Sequence, residues 1–133
     1  MANIHAYAEK FMLDYCLTGA TATLPAAWTL ALSTAVPTST STAVSIEIGT
    51  ASGYSCQTMK MPAASSPAGS ATNTVAATFG PFSTACTISG MFIKDTSATG
   101  GNILWYGSLA TARTLAIGDS LVFATGSLTI TLS

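Results

Sequence analysis

The strongest constraint on this chain is a run of short alternating segments, broken at close intervals by turn-forming clusters. In "SLTITLS" (127–133), Leu128, Ile130 and Leu132 fall on one side of an extended backbone and Thr129 and Thr131 on the other. "WTLALST" (28–34), "VSIEIGT" (44–50), "YSCQTMKM" (54–61), "NTVAATF" (73–79), "CTISGMFIKD" (86–95), "NILWYGSLA" (102–110) and "SLVFATG" (120–126) read as strands on the same grounds. Between them stand "PTSTST", "ASG", "PAASSPAGS" and "TSATGG", which carry turn and loop chemistry. About eight short strands over residues 28–133 predict a mainly all-β fold, an antiparallel β-sandwich or jelly roll in one domain spanning 1–133. No helical pattern separates the strands, which argues against a parallel α/β sheet.

One segment has a different period. In "NIHAYAEKFMLDYCLTG", Ile4, Tyr7, Ala8, Phe11, Met12 and Tyr15 recur at helical spacing, Asn3 is placed to cap and Gly19 to terminate. This predicts one N-terminal α-helix over 3–18, with Lys10 and Asp14 as an i,i+4 pair on another face. Its apolar stripe either packs on its own domain or docks on a partner. At the other end, Ile88–Asp95 and Asn102–Ala110 flank "TSATGG", whose Gly100 and Gly101 tolerate positive φ, so a hairpin is expected. Trp105 and Tyr106 then point to opposite faces and form no single stacking platform. One is expected in the core, the other on the outer face or at a subunit contact.

Composition bounds what such a scaffold does. At 133 residues the chain buries enough surface to fold without disulfides. Charged residues are only 7%, against about 25% in typical soluble domains, and mean hydropathy is +0.52. So sparse a charged surface protects a free monomer poorly, which points to neighbours covering it in a homo-oligomer or larger assembly. Lys10, Lys60, Lys94 and Arg113 are scattered, which disfavours nucleic acid. Every apolar run is interrupted well short of the roughly 18 residues of a membrane helix, so no membrane partner is expected. Cys16, Cys56 and Cys86 show no CxxC spacing and are expected as buried free thiols. The N-terminus has no secretory pattern, so synthesis in a cytoplasm is expected.

No chemistry-bearing constellation emerges. "GDSL" at 118–121 spells the nucleophile block of the GDSL hydrolases, but only 12 residues follow Leu121 and none is histidine. The single histidine, His5, is at the opposite end of the chain, and Ser120 needs a base within reach to become a nucleophile. Gly118-Asp119 reads instead as a turn whose carboxylate caps local backbone. Asp14, Glu47, Asp95 and Asp119 are isolated in sequence and have no acid–base or metal-ligand spacing. No phosphate-binding loop occurs. Trp28, Tyr54, Trp105 and Tyr106 are candidates for sugar contact, although large aromatics most often serve the core. No catalytic residue, cofactor or metal is expected.

In order and spacing, "WTLALSTAVPTST", "SGYSCQ" and "GMFIKDTSATGGNILWYGSLATARTLAIGDSLVFATGSLTITLS" resemble a family of small tailed-bacteriophage virion proteins, often called phage tail fibre proteins. The resemblance runs from about residue 11 onward and is most specific in "LALST", "TGGNILWYGSL" and "GDSLVFATGSLTITLS". The family commonly follows a glycine-aromatic pair with Ala-Arg. Here Gly53-Tyr54 is followed by Ser55-Cys56, so that arginine's role does not carry over. The resemblance implies a noncatalytic, β-rich structural protein of the virion, made in the bacterial host cytoplasm.

A compact chain without heptads or long repeats suits a capsid decoration (cement) protein that bridges major capsid protein subunits and copies of itself. Binding only the assembled shell would stabilise it by mass action. The competing expectation is a tail fibre or other tail component that binds a host receptor or glycan. An esterase using Ser120 is the remaining alternative. First candidates for the interface are Ile4, Tyr7, Phe11 and Met12, with Trp105, Tyr106 and the "TSTST" and "PAASSPAGS" loops.

Overall fold

A computed structural model describes residues 3–19, 21, 25, 27–49, 52–64 and 69–131. Its elements run β1 (Asn3–Ile4), α1 (Ala6–Leu13), a π-type turn (Asp14–Thr18), β2 (Thr29–Ser33), α2 (Ala43–Ile46), β3 (Gln57–Thr58), β4 (Ser70–Thr72), β5 (Ala77–Phe79), β6 (Cys86–Lys94), β7 (Ile103–Leu115), β8 (Leu121–Phe123) and β9 (Thr129–Thr131). The fold is mainly β with one substantial helix at the N-terminal end, as the alternation predicts.

Five strands form an antiparallel sheet in the order β1-β7-β6-β2-β3. The expected hairpin is its centre: β6 and β7 pair from Cys86↔Leu115 to Lys94↔Ile103, and Gly100 and Gly101 take φ of 88° and 86° in the turn. β7 extends beyond the sequence expectation, to Leu115. An irregularity between Ile88 and Gly90 leaves Leu109–Ala112 bulged out of register, which interrupts the alternation there.

The remaining strands pair as β4 with β9 and β5 with β8. Ser70↔Thr131 and Phe79↔Leu121 differ in register by one residue, so the two pairs form a single antiparallel ribbon, 70–79 against 121–131, with a break in its middle. The main core fills the space between ribbon and sheet. Leu30, Leu32, Ile88 and Ile93 meet Phe79, Phe82 and Tyr54, and Leu121, Phe123, Leu128 and Ile130 pack against them. Tyr54 stacks on Phe79 at 5.8 Å, and Phe79 meets Phe123 edge-on at 6.1 Å. Burial of each large side chain contributes about 1.5–3 kcal/mol.

The sheet's reverse face is covered as well. Ala31, Phe92 and Ile103 pack against Ala43 and Ile46 of α2, with Tyr106 beside them. This explains why β2 is buried at all five positions although its sequence alternates: Leu30 and Leu32 face one cluster and Ala31 the other.

Several expectations are corrected. The described part of the expected strand 44–50, residues 44–49, does not form one; 43–46 are the helical turn α2, and only Glu47 bridges to Ser33 of β2. The hydroxyl of Thr42 donates to that of Ser45 (2.9 Å), and Ser45 Oγ in turn donates to the Thr42 carbonyl (2.8 Å), so local side-chain bonds close the turn. The N-terminal helix is shorter than 3–18. Asn3–Ile4 pairs with β7, His5 rather than Asn3 is the N-cap, and Gly19 ends the π turn at φ 65°. β3 and β5 are shorter than the segments 54–61 and 73–79, and β4 arises inside what reads as loop. Leu132, residues 65–68 of "PAASSPAGS", and much of "ATATLPAA" lie outside the described residues.

Candidate functional site

The N-terminal segment is fastened by its first few residues. His5 N donates to Leu104 O (2.9 Å) and Ala6 N to Ser39 O (3.2 Å). Tyr7 N donates to His5 Nδ1 (3.2 Å), which fixes the imidazole proton on Nε2, and that atom donates to Ser41 O (3.0 Å). His5 is buried, and its ring sits edge-on to Tyr106 at 6.3 Å. The "TSTST" loop therefore has a structural role. It receives the helix start while holding its own shape, through Thr38 N donating to Ser41 Oγ (3.0 Å). Lys10 and Asp14 form the expected exposed ion pair.

With its start pinned, α1 lies against β7 and walls an open apolar groove of about 320 Å³. Phe11 and Met12 line it from the helix, and Trp28, Met59, Trp105 and Ile130 from the sheet and ribbon, with Met59 N donating to Trp28 O (2.7 Å). A second recess of about 480 Å³ adjoins it and shares Met59, Met61, Ile93 and Ile130, with Ser108, Ser127, Thr129 and Thr131 bringing hydroxyls. Every described methionine, Met12, Met59, Met61 and Met91, lines one or both. Unbranched thioether side chains make such a surface adaptable to its occupant.

Of the six interface candidates, the groove gathers Phe11, Met12 and Trp105. Ile4 shares their side of the sheet, since Ile4, Trp105, Ile93 and Leu30 lie opposite one another across β1, β7, β6 and β2. Tyr7 is exposed outside the groove. Tyr106 faces the other way, against the second cluster and His5. Trp105 and Tyr106 do point to opposite faces, but both are half-buried, because both faces of the sheet are covered. Leu13, Tyr15 and Leu17, all exposed, extend the apolar surface past the helix end.

The sequence reading missed the polar centre of the molecule. Lys94 Nζ donates to both carboxylate oxygens of Glu47 (2.8 and 2.7 Å) and to Ala98 O (2.8 Å). Tyr54 OH donates to Glu47 Oε1 (3.2 Å) and accepts from Leu32 N (3.0 Å). Burial pushes the Tyr54 phenol far above its ordinary range, against the pull of the Leu32 N–H; the Glu47 carboxylate raises it further. Lys94 is in phase with buried Phe92 two residues earlier, and Glu47 lies between Ile46 and Ile48. A charge at a core-facing strand position was the available signal.

Several other polar groups are engaged in structure. Asp119 Oδ2 accepts from Ala116 N (2.8 Å), the capping role expected of the Gly118-Asp119 turn, and Ser120 beside it is exposed. Both His5 nitrogens are occupied far from that turn. Among the described residues no three His, Cys, Asp or Glu gather as a metal site, and no helix is long and apolar enough to cross a membrane. All three cysteines are free, but burial is corrected: Cys16 is exposed on the π turn, and Cys56 and Cys86 are half-buried. Partial burial raises the Cys86 thiol above its usual value.

An antiparallel β framework in which His5, Glu47, Lys94, Asp95 and Asp119 are held in internal bonds, with an apolar surface beside its helix, has the character of a structural protein. Residues 3–131 match the family model described as podophage GP4 fiber I protein gp80, and the chain belongs to that family of bacteriophage virion structural proteins. No curated protein matches the sequence.

Proposed function

We propose that this protein is a noncatalytic, fibre-type structural component of the virion, held in the particle by contacts to other virion proteins. The family match across residues 3–131 carries this reading. The site chemistry supports it: His5, Asp119 and the Lys94–Glu47 pair each have a structural partner, and none of them is hydrogen-bonded to Ser120. The exposed apolar residues around α1 supply a surface suited to contact with another protein.

A second reading, capsid decoration bridging major capsid protein subunits, is supported by the sparse charge of the chain, 7% of residues, which leaves little to oppose close packing of many copies over a lattice. Copy number separates the two. Quantitative gel analysis of purified virions should show this protein well below the major capsid protein, and antibody labelling should fall on the tail or fibres. Abundance rivalling the major capsid protein, with label over the head, would replace the fibre reading with the decoration one. Hydrolysis of p-nitrophenyl esters that disappears in Ser120→Ala would overturn both.

A further inference from the structure

Helix α1 and the turn after it are apolar on more sides than one packing surface covers. Ala8 is buried and Phe11 half-buried against the domain, yet Tyr7, Met12, Leu13, Tyr15 and Leu17 are exposed, Leu17 by 77% and Leu13 by 58%. Exposed apolar residues grouped on one surface and rimmed by charged ones, here Glu9, Lys10 and Asp14, mark a place of contact with another molecule. Directly beside it lies the 320 Å³ groove, whose described lining contains no charged residue and no side-chain hydroxyl, carboxylate or amide. Apart from the indole N–H groups of Trp28 and Trp105, its side chains offer a sugar or charged ligand no hydrogen-bond partner to replace lost hydration, whereas an apolar side chain would gain by burial.

Protruding apolar side chains and an apolar recess thus stand next to each other on one surface. That is the condition for contact between identical subunits, in which each copy offers what the other receives. Charge permits it. The ionised residues of the segment are Glu9, Lys10 and Asp14, of mixed sign, and Lys10 is already paired with Asp14. Two copies therefore meet without a block of like charge, and a strongly acidic or basic partner finds no complementary field.

We propose that copies of this chain pack on one another here, with Leu13 and Leu17 of one copy entering the groove beside Trp28 and Trp105 of the next. The inference rests on the reading of the protein as a structural subunit and names its partner, a second copy.

Sedimentation equilibrium of the purified full chain tests it. A concentration-dependent mass above 13.4 kDa is expected. Leu17→Asp should weaken the association about tenfold or more, with an unchanged far-ultraviolet circular dichroism spectrum, because Leu17 buries little within its own subunit. Ile117→Asp, at a residue 72% exposed that does not line the groove, should leave the association unchanged. A 13.4 kDa mass at every concentration reached, or association indifferent to Leu17→Asp, overturns the proposal. Virion copy number is an independent measurement: a monomeric protein found on fibres refutes self-packing but leaves the functional reading standing.

Discussion

Lys94 has no exposed side-chain surface and Glu47 only 9%, so their ion pair is formed out of water. Such a pair contributes little net stability, but removing one partner strands the other's charge. Lys94→Met should therefore cost about 3–5 kcal/mol in urea unfolding, and the double change Lys94→Met/Glu47→Leu should recover most of it. A single variant as stable as the parent would show that the carboxylate finds another partner. Tyr54 links this pair to pH. Its phenol has an ordinary value of 10.0, which burial raises in the folded chain. Above about pH 10 the unfolded chain therefore releases a proton that the folded chain keeps, so this contribution to stability is full below that pH and shrinks as pH rises. Tyr54→Phe should flatten the alkaline fall in stability. At neutral pH it should cost about 1–3 kcal/mol, because Leu32 N–H loses its acceptor. An alkaline limb of unchanged steepness would assign the effect to other groups. None of this network is visible in order along the chain, because its members meet only when β2, β6 and the segment after α2 come together.

Among the elements, the hairpin β6–β7 was legible because its signals agree: alternation on both sides of a turn whose two glycines accept positive φ. The segment 43–48 was not, because its signals conflict. Val44, Ile46 and Ile48 alternate like a strand, yet Val44 is 73% exposed while Ile46 and Ile48 are buried. The Thr42–Ser45 hydroxyl bonds win locally, and α2 uses Ala43 and Ile46 to cover the sheet's reverse face. The ribbon was seen as separate strands, because its continuity depends on one residue. Asn73, 1% exposed, donates from Nδ2 to Val75 O (2.8 Å) and Ala124 O (2.9 Å), and its Oδ1 accepts from Leu128 N (2.9 Å). Its backbone N–H and carbonyl bond Leu128 O and Gly126 N. Asn73→Asp keeps the shape but turns two donors into a carboxylate facing two carbonyls, and should destabilise by about 3 kcal/mol in chemical denaturation. Stability within experimental error of the parent would mean that the break in the ribbon is held by backbone bonds alone.

At the scale of the molecule, the low charge content is sharper than composition suggests, since one of four cations and one of five anions are withdrawn into the core. The β class and the helical stripe could be read from periodicity. The groove could not, because Phe11, Met12, Trp28, Met59 and Trp105 are far apart in sequence and meet only when the helix start is pinned to β7. The ribbon also bears on how the protein comes into being. Asn73 bonds Ala124, 51 positions further along, and residues 70–79 find their pairing strand only in 121–131. During translation the five-stranded sheet can be complete while Leu30, Leu32 and Ile93 still lack their lid. The nascent protein must keep that greasy face from its neighbours until the final strands emerge from the ribosome.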